Sequence, residues 1–162
     1  EKMVAAAAAA SRRTALVCGV ANARSIAWAS ARGLLRSGYD VVCTYQSERF
    51  ASQVERLVER ENEDMLARYM NEQASAAGLD VPAPRMGCLP CDASCDDSMA
   101  SLFGERLPAC LSDMNASHQQ QSKYRQQRRL DALIHSVAYA PPDAMKDGTL
   151  LDTSRESFGV AH

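Results

Sequence analysis

Short runs of apolar residues alternate along the chain with longer stretches in which apolar and polar residues are mixed. Two of these runs, Thr14–Cys18 and Val41–Tyr45, contain the β-branched residues typical of buried strands. The run Met86–Pro90 has weaker strand character, and Leu130–Val137 is a further apolar run between mixed stretches. We therefore predict four strands.

The mixed stretches have apolar residues three or four positions apart, which is the spacing of one face of an α-helix. Gly38 follows the first stretch and is a typical helix C-terminal signal. The polar run Glu61–Asp64 is a point at which the second stretch could divide into two helices. The predicted helices are Ile26–Arg36, Glu48 to about Ala77, Asp96–Leu107 and a last one opened by the capping-box spacing Thr153-x-x-Glu156.

Strands that alternate with helices predict an α/β fold with a parallel sheet. Right-handed crossovers place the helices on both faces of that sheet. We expect a partial doubly wound, Rossmann-like sheet of about four strands with flanking helices. In such sheets ligands bind beyond the carboxyl ends of the strands.

The chain of 162 residues is long enough for one domain with a substantial core. Residues 1–13 are rich in alanine and end in Ser-Arg-Arg, which predicts a disordered tail or the remnant of a transit peptide. We expect residues 14–162 to form the domain. A polar, glutamine-rich stretch at about residues 113–129 is predicted to be an insert in it.

Composition narrows the function classes. A net charge of −2 gives no electrostatic basis for binding nucleic acid, and no apolar run is long enough to span a bilayer. The segment CLPCDASC places Cys88, Cys91 and Cys95 at C-x2-C-x3-C spacing. A closed zinc site needs four ligands, and neither a second pair nor a histidine follows at suitable spacing. We therefore predict no metal site and reduced thiols in an intracellular compartment.

The stretch TALVCGVANARSIAW joins the first strand to the first helix. Gly19 permits a sharp turn, and Ser25 and Ile26 offer a hydroxyl and a backbone amide at a helix N-terminus, where both favour a phosphate. The usual G-x-G-x-x-G pattern is absent. The residues alone therefore leave two interpretations open, a nucleotide-binding turn and an ordinary strand–loop–helix joint. We expect His135 to be a packed strand residue and not an acid or base.

Five blocks in this order, GVANARSIAW, TYQSER, LPCDAS, LDALIHSVAYAP and LDTSRESFGVAH, closely resemble the N-terminal half of the NADH-dependent enoyl-acyl-carrier-protein reductases. These enzymes are short-chain dehydrogenase/reductase relatives of type II fatty acid synthesis. The resemblance covers most of the chain except residues 1–12, much of 58–84 and about 113–129.

The resemblance implies a site residue by residue. It places Gly19, Ser25 and Ile26 at the pyrophosphate of the cofactor, and Gln46 near the adenosine ribose. The remaining implied contacts are Asp92 and Ala93 at the adenine, Val137 and Ala138 along the nicotinamide ribose, and Tyr139 and Ala140 at the acyl pocket. We expect NADH and not NADPH, because the neutral Gln46 can hydrogen-bond a 2′-hydroxyl but cannot neutralise a 2′-phosphate.

The resemblance also implies an activity, the reduction of the double bond of an enoyl thioester. In the family a catalytic tyrosine and lysine, spaced Tyr-x6-Lys, lie beyond the last of the five blocks. We therefore expect no catalytic residue in this chain, and we expect the chain to be a fragment that is inactive alone. The implied partner is an enoyl-acyl-carrier-protein, with a homo-oligomer when full-length and a location in the plastid or otherwise the cytoplasm.

Two other interpretations remain open at this point. One is another short-chain reductase that acts on a ketone. The other is a catalytically inactive nucleotide-binding or interaction module, with the glutamine-rich stretch as its contact surface.

Overall fold

The computed structural model describes residues 12–75, 82–116, 129–138 and 154–161. The strands are β1 (Thr14–Cys18), β2 (Asp40–Tyr45), β3 (Met86–Pro90) and β4 (Ala132–His135). The helices are α1 (Ile26–Arg36), α2 (Glu48–Ser75), α3 (Asp96–Ser101), a π-helical turn (Leu102–Arg106), α4 (Leu107–Ala116) and α5 (Arg155–Ala161).

All strand pairs are parallel, and the order in the sheet is β3-β2-β1-β4. The register aligns Val17 of β1 with Cys43 of β2 and with Ile134 of β4. The expected fold class, an α/β fold with a partial doubly wound parallel sheet and flanking helices, is therefore confirmed. Among the residues described, no helix is long and apolar enough to cross a membrane.

Alternate residues of the strands face two separate apolar clusters, one on each side of the sheet. Val17 and Cys43 belong to the larger cluster, which α1 and α2 cover. Leu16 and Val42 belong to the smaller cluster, which the π-helical turn and α4 cover. Because both faces are covered, β1 and β2 are almost completely buried, as their apolar sequences predict.

Helix α1 begins and ends where its sequence indicates. The Ser25 hydroxyl accepts a hydrogen bond from the Trp28 amide at 3.2 Å and so caps the N-terminus. At the other end Gly38 adopts a φ of 86°, and its amide donates to the Leu35 carbonyl at 3.0 Å. A left-handed residue at this point is the usual way to end a helix, and glycine adopts it at least cost.

Helix α2 is continuous, so the division that seemed open at Glu61–Asp64 does not occur. Glu61 is buried between α1 and α2, where its carboxylate pairs with Arg32 at 2.7 Å and Arg36 at 3.1 Å. Asn62 uses both ends of its side-chain amide on Met86 of β3, accepting from the amide nitrogen and donating to the carbonyl, each at 2.8 Å. These long-range contacts hold a polar segment in the helix.

The helix after β3 extends beyond its predicted end at Leu107. It continues through α4 to Ala116, so residues 113–116, which were assigned to the insert, are helical. Leu111 and Met114 explain the extension, since both are buried against the smaller cluster. Residues 117–128 of the predicted insert and residues 1–11 of the predicted tail lie outside the described residues.

The last two elements differ from the prediction in their bounds. Strand β4 is Ala132–His135, shorter than the predicted Leu130–Val137. Helix α5 begins at Arg155, and the Ser154 hydroxyl accepts from the Ser157 amide at 3.0 Å. The capping residue is therefore Ser154, one position after the predicted Thr153.

Candidate functional site

The carboxyl ends of the four strands meet at one edge of the sheet. The chain passes from β1 to β2 to β3 on one side and then returns to place β4 on the other side of β1. The gap between the ends of β1 and β4 is thus the topological switch point, where open α/β sheets bind ligands. Gly19 directly follows β1 at this gap.

Gly19 lets the backbone after β1 approach the segment after β4 more closely than a residue with a side chain could. Its φ is 95°, and its amide donates to the Thr44 carbonyl at 3.2 Å. A Cβ atom at this position would lie 2.3 Å from the Ser136 carbonyl oxygen and 3.1 Å from Cγ2 of Val137. The end of β1 therefore lies against the segment that follows β4, with no space for a side chain between them.

The loop from β1 to α1 is held by its own polar groups. The Asn22 side-chain oxygen accepts from the Arg24 amide at 2.8 Å, and the Asn22 carbonyl accepts from the Ser25 hydroxyl at 2.8 Å. The first turn of α1 contains no acidic residue. Ile26, its first residue, is 77% exposed. The positive end of this helix thus faces outward beside a large exposed apolar side chain.

Gln46 and Asp92 follow β2 and β3 and lie side by side. One oxygen of Asp92 accepts from the Ser94 hydroxyl at 2.7 Å and from the Ser94 amide at 3.0 Å. These two hydrogen bonds, and a weaker one from the Gln46 side chain, lower the pKa of Asp92. Asp92 is therefore an ionised acceptor at neutral pH. Ala93 follows it and is exposed.

Val137 and Ala138 complete the set of described site residues. Both are exposed, and Val137 lies beside Gly19 at the switch point. The structure thus brings the predicted residues to one edge of the sheet, in two groups: Gly19 with Val137, and Gln46 with Asp92. Their binding roles stay predictions. Tyr139 and Ala140, predicted to border an acyl pocket, lie outside the described residues.

Two thiols lie beneath this edge. Burial raises the pKa of Cys18 and of Cys91, and hydrogen bonds from Thr44 and Ser98 only partly oppose that rise. Both are therefore neutral thiols at physiological pH and not nucleophiles. All six cysteines are free, and within the described ranges no group of three or more His, Cys, Asp or Glu residues could hold a metal ion.

The expectation that His135 is a packed residue is wrong, although it lies in a strand as predicted. It lies in β4, in register with Cys18, but its side chain is exposed and not packed. Leu133, two residues earlier on the same face of β4, is 56% exposed as well. The described helices on that face pack over β1, β2 and β3, which explains why the β4 side chains there remain open to solvent.

Sequence reasoning missed two residues that contact the loop after β3. The Ser98 hydroxyl accepts from the Asp92 amide at 2.9 Å, and the Arg106 guanidinium donates to the Pro90 carbonyl at 3.0 Å. Ser98 could have been suspected from its position in the first turn of a helix. Arg106 could not, because its contact depends on the π-helical turn.

A cavity of about 590 Å³ lies elsewhere, between β3 and α4. Its lining includes Arg85, Gly87, Leu89, Cys110 and Met114, and none of the predicted site residues. We therefore place the candidate site at the carboxyl edge of the sheet and not in this cavity.

The known proteins to which this chain is similar are enoyl-acyl-carrier-protein reductases. The family model described as enoyl-(acyl carrier protein) reductase matches residues 19–77. The NADH enoyl-[acyl-carrier-protein] reductase FabI of Aquifex aeolicus is 28% identical over 151 residues, which are 92% of this chain and 40% of that protein. The FabI of Bacillus cereus is 30% identical over 149 residues, 92% of this chain and 43% of that protein.

Solved structures of such reductases are similar to this chain as well. The Aquifex aeolicus reductase superposes with a TM-score of 0.54 at 26% identity, covering 93% of this chain and 48% of that one. The Bacillus cereus reductase, crystallised with NADP+ and indole naphthyridinone, gives 0.53 at 28% identity, covering 93% and 44%.

The chain spans about two-fifths of the length of the curated relatives it matches. The family match, the sequence relatives and the solved structures confirm the resemblance seen in the five sequence blocks: this chain is similar to part of the NADH-dependent enoyl-acyl-carrier-protein reductases.

Proposed function

We propose that this chain is the cofactor-binding part of an enoyl-thioester reductase that uses NADH. One observation carries the proposal: Gly19 lies at the switch point in a left-handed conformation, with Ser136 and Val137 so close that no side chain fits there. A glycine kept in a left-handed conformation beneath a helix N-terminus is what close approach of a pyrophosphate requires.

The start of α1 supports the same proposal. The first amide groups of a helix have no partner within it, and the helix dipole favours an anion there. With no acidic residue in the first turn, nothing in that turn offsets this preference. A dinucleotide in contact with the loop would also cover Ile26, whose exposure is otherwise costly.

The Gln46–Asp92 pair supports the proposal at the adenosine end of the cofactor. An ionised Asp92 accepts a hydrogen bond from the adenine amino group, and the neutral Gln46 suits a ribose hydroxyl better than a phosphate dianion. Arg49, the first basic residue after Gln46 in the sequence, lies over the Phe50 ring at 4.4 Å from its centroid. We therefore propose NADH as the preferred cofactor.

NADH, when bound, would supply the hydride for reduction of the enoyl double bond. The residues of this chain would bind and orient it, with Val137 and Ala138 along the nicotinamide ribose. The proposed substrate is an enoyl thioester on an acyl-carrier protein. The homo-oligomer, and the location in plastid or cytoplasm, remain predictions of the resemblance.

One tyrosine–lysine pair, Tyr139 and Lys146, does have the Tyr-x6-Lys spacing that the resemblance associates with catalysis. Both residues lie outside the described ranges, and the resemblance assigns Tyr139 to the acyl pocket. We therefore propose no catalytic residue in this chain. The wild-type chain checks this: with an enoyl thioester it should oxidise no NADH above the uncatalysed rate.

Direct titration with NADH tests the proposal. Trp28, the single tryptophan, is buried in the first turn of α1, so energy transfer from its ring to bound dihydronicotinamide reports binding. We expect a dissociation constant between about 1 μM and about 1 mM. Ile26→Glu should weaken binding at least about tenfold, because it places a negative charge at the anion site.

Leu66→Glu is the matched control, since Leu66 is 55% exposed on α2 and away from the site. It should leave NADH affinity unchanged. A folded wild-type chain that does not bind NADH would overturn the proposal. Tighter binding of NADPH than NADH, at one salt concentration, would overturn the choice of cofactor.

A further inference from the structure

The helix that follows β3 is interrupted at a specific place. Between α3 and α4 the residues Leu102–Arg106 form a π-helical turn. Such a turn changes the direction of the side chains that follow, and it is frequently found at functional sites. Here the turn ends at Arg106, which it directs toward the end of β3.

Arg106 bonds to the last residue of that strand. Its Nη1 donates to the Pro90 carbonyl and its Nε donates to the Ser101 hydroxyl, each at 3.0 Å. The Cys91 amide donates to the Tyr45 carbonyl of β2 at 2.8 Å. Because the two polar groups of one peptide unit point in opposite directions, the Pro90 carbonyl points away from the sheet, toward Arg106.

Ser98, from the same helical segment, holds the next peptide. Its hydroxyl accepts from the Asp92 amide at 2.9 Å. The backbone from Pro90 to Asp92 is thus held on three sides, by Arg106, by β2 and by Ser98. Of these three hydrogen bonds to the Pro90–Asp92 backbone, only the one to β2 lies within the sheet.

We propose that Arg106 and Ser98 are positioning residues that fix the Pro90–Asp92 backbone and, through it, the Asp92 carboxylate at the adenine of the cofactor. The inference rests on the proposed function and deepens it. The guanidinium suits this role because its Nε and Nη1 donors have a fixed relative geometry, so that bonding to Ser101 orients the donor for Pro90. A lysine has only one donor atom and lacks this restraint.

A purely structural role would affect every ligand equally, so the test compares two ligands. NADH carries the adenine amino group, and reduced nicotinamide hypoxanthine dinucleotide has a carbonyl oxygen in its place. At this position of the base, Asp92 can accept a hydrogen bond only from the first, because a carbonyl oxygen is itself an acceptor. We expect the wild-type chain to prefer NADH about tenfold.

Arg106→Met should reduce that preference to below about threefold, and Arg106→Lys should restore part of it. Ser98→Ala should also reduce it. The matched control is Arg56→Met, because Arg56 also donates from Nε to a backbone carbonyl, that of Ser52 at 2.8 Å, but on the exposed surface of α2. It should keep the wild-type preference.

All affinities are measured where circular dichroism shows each variant folded. An unchanged preference in folded Arg106→Lys and Ser98→Ala would overturn the inference even if Arg106→Met does not fold. Equal loss of affinity for both dinucleotides would overturn it too, since that is the result of a structural role. Failure of the wild-type chain to bind either dinucleotide would instead overturn the proposed function.

Discussion

The polar side chains at the two ends of the sheet differ in how much of their surface is open to solvent. At the amino end, two aspartate side chains of the chain itself bond the backbone. Asp40, which is completely buried, accepts from the Arg85 amide at 2.9 Å and pairs with Arg12 at 3.6 Å. Asp131 accepts from the Thr14 amide at 2.8 Å, tying β4 to β1.

At the carboxyl end Ser98 and Arg106 also bond the backbone, but other side chains there are open to solvent. Gln46 and Asp92 are near one another at the surface, and Ile26 is largely exposed. An end that bonds its own backbone stabilises the fold, whereas an end that exposes oriented polar groups contributes less stability and can bind a ligand. The difference assigns stability to one end and binding to the other, and substitutions can separate them.

Gly19→Ala should have the largest effect, because Gly19 is the point of the carboxyl end where folding and binding coincide. The Cβ would meet the Ser136 carbonyl at 2.3 Å in a left-handed conformation. We expect a loss of about 3 to 5 kcal/mol in unfolding free energy, measured by urea denaturation, and loss of NADH binding.

Gly38→Ala is its control. Gly38 has a similar φ of 86° but no atom within 4 Å of a Cβ, so only the conformational cost of about 1 to 2 kcal/mol remains. Equal losses in the two variants would show that the close approach of β1 to Ser136 does not constrain the site.

Asp40→Ala should affect stability alone. It leaves the Arg85 amide without this acceptor and removes the carboxylate partner of Arg12 at a buried position. We expect a loss of about 2 to 4 kcal/mol in unfolding free energy with unchanged NADH affinity in the folded chain. Asp64→Ala, on the exposed surface of α2, should change neither quantity. A large rise in the NADH dissociation constant of Asp40→Ala would remove the distinction between the two ends.

Asp92→Asn should affect NADH affinity alone. Asp92 is at the surface and its side chain bonds Ser94, two residues away, so thermal stability should stay near that of the wild type. NADH affinity should fall about tenfold, because a charged acceptor is replaced by a neutral one. Thermal denaturation and NADH titration of the same sample check both parts.

The pH dependence of binding gives an independent check on Asp92. Hydrogen bonds from Ser94 lower the pKa of Asp92. The carboxylate is therefore protonated only as the pH falls through that lowered value, and it is ionised above it. Its contribution to NADH affinity should therefore be constant from about pH 5 to about pH 8. A loss of affinity within that range that Asp92→Asn abolishes would contradict this.

Thiol reactivity should give the smallest effect. Cys95 is exposed at the carboxyl end, whereas Cys43 lies inside the sheet, and burial raises its pKa strongly. Burial also raises the pKa of Cys88 to about 11. Because the thiolate is the reactive form, iodoacetamide at mildly alkaline pH should modify Cys95 well before the other two. Peptide mass spectrometry measures the order, which should disappear in denaturant.

Local sequence signals predicted the parts of this fold that local chemistry determines. The bounds of β1, α1 and β3 follow from apolar runs, a serine cap and a glycine at the helix end. The rule that ligands bind at strand ends identified Gly19 and Asp92 as neighbours of one edge, although their binding roles await the titrations above.

Contacts between distant residues determined what the sequence did not reveal. Continuity of α2 depends on two arginines of α1 that neutralise the buried Glu61, and extension of α4 depends on Leu111 packing against the sheet. Exposure of His135 depends on which part of the sheet the helices cover. The Arg106 contact requires a π-helical turn, for which LFGER has no recognised pattern.

The two hydrogen bonds between the Asn62 side chain and Met86 have a consequence for assembly. A side-chain amide that both accepts from and donates to one residue of an edge strand takes the place of a neighbouring strand at that residue. Pro90 has no amide hydrogen to offer, and Arg106 already occupies its carbonyl. The β3 edge is thereby protected against pairing with the strands of other molecules, so aggregation by strand addition is disfavoured there, and Asn62→Leu should shorten the lag time of fibril formation.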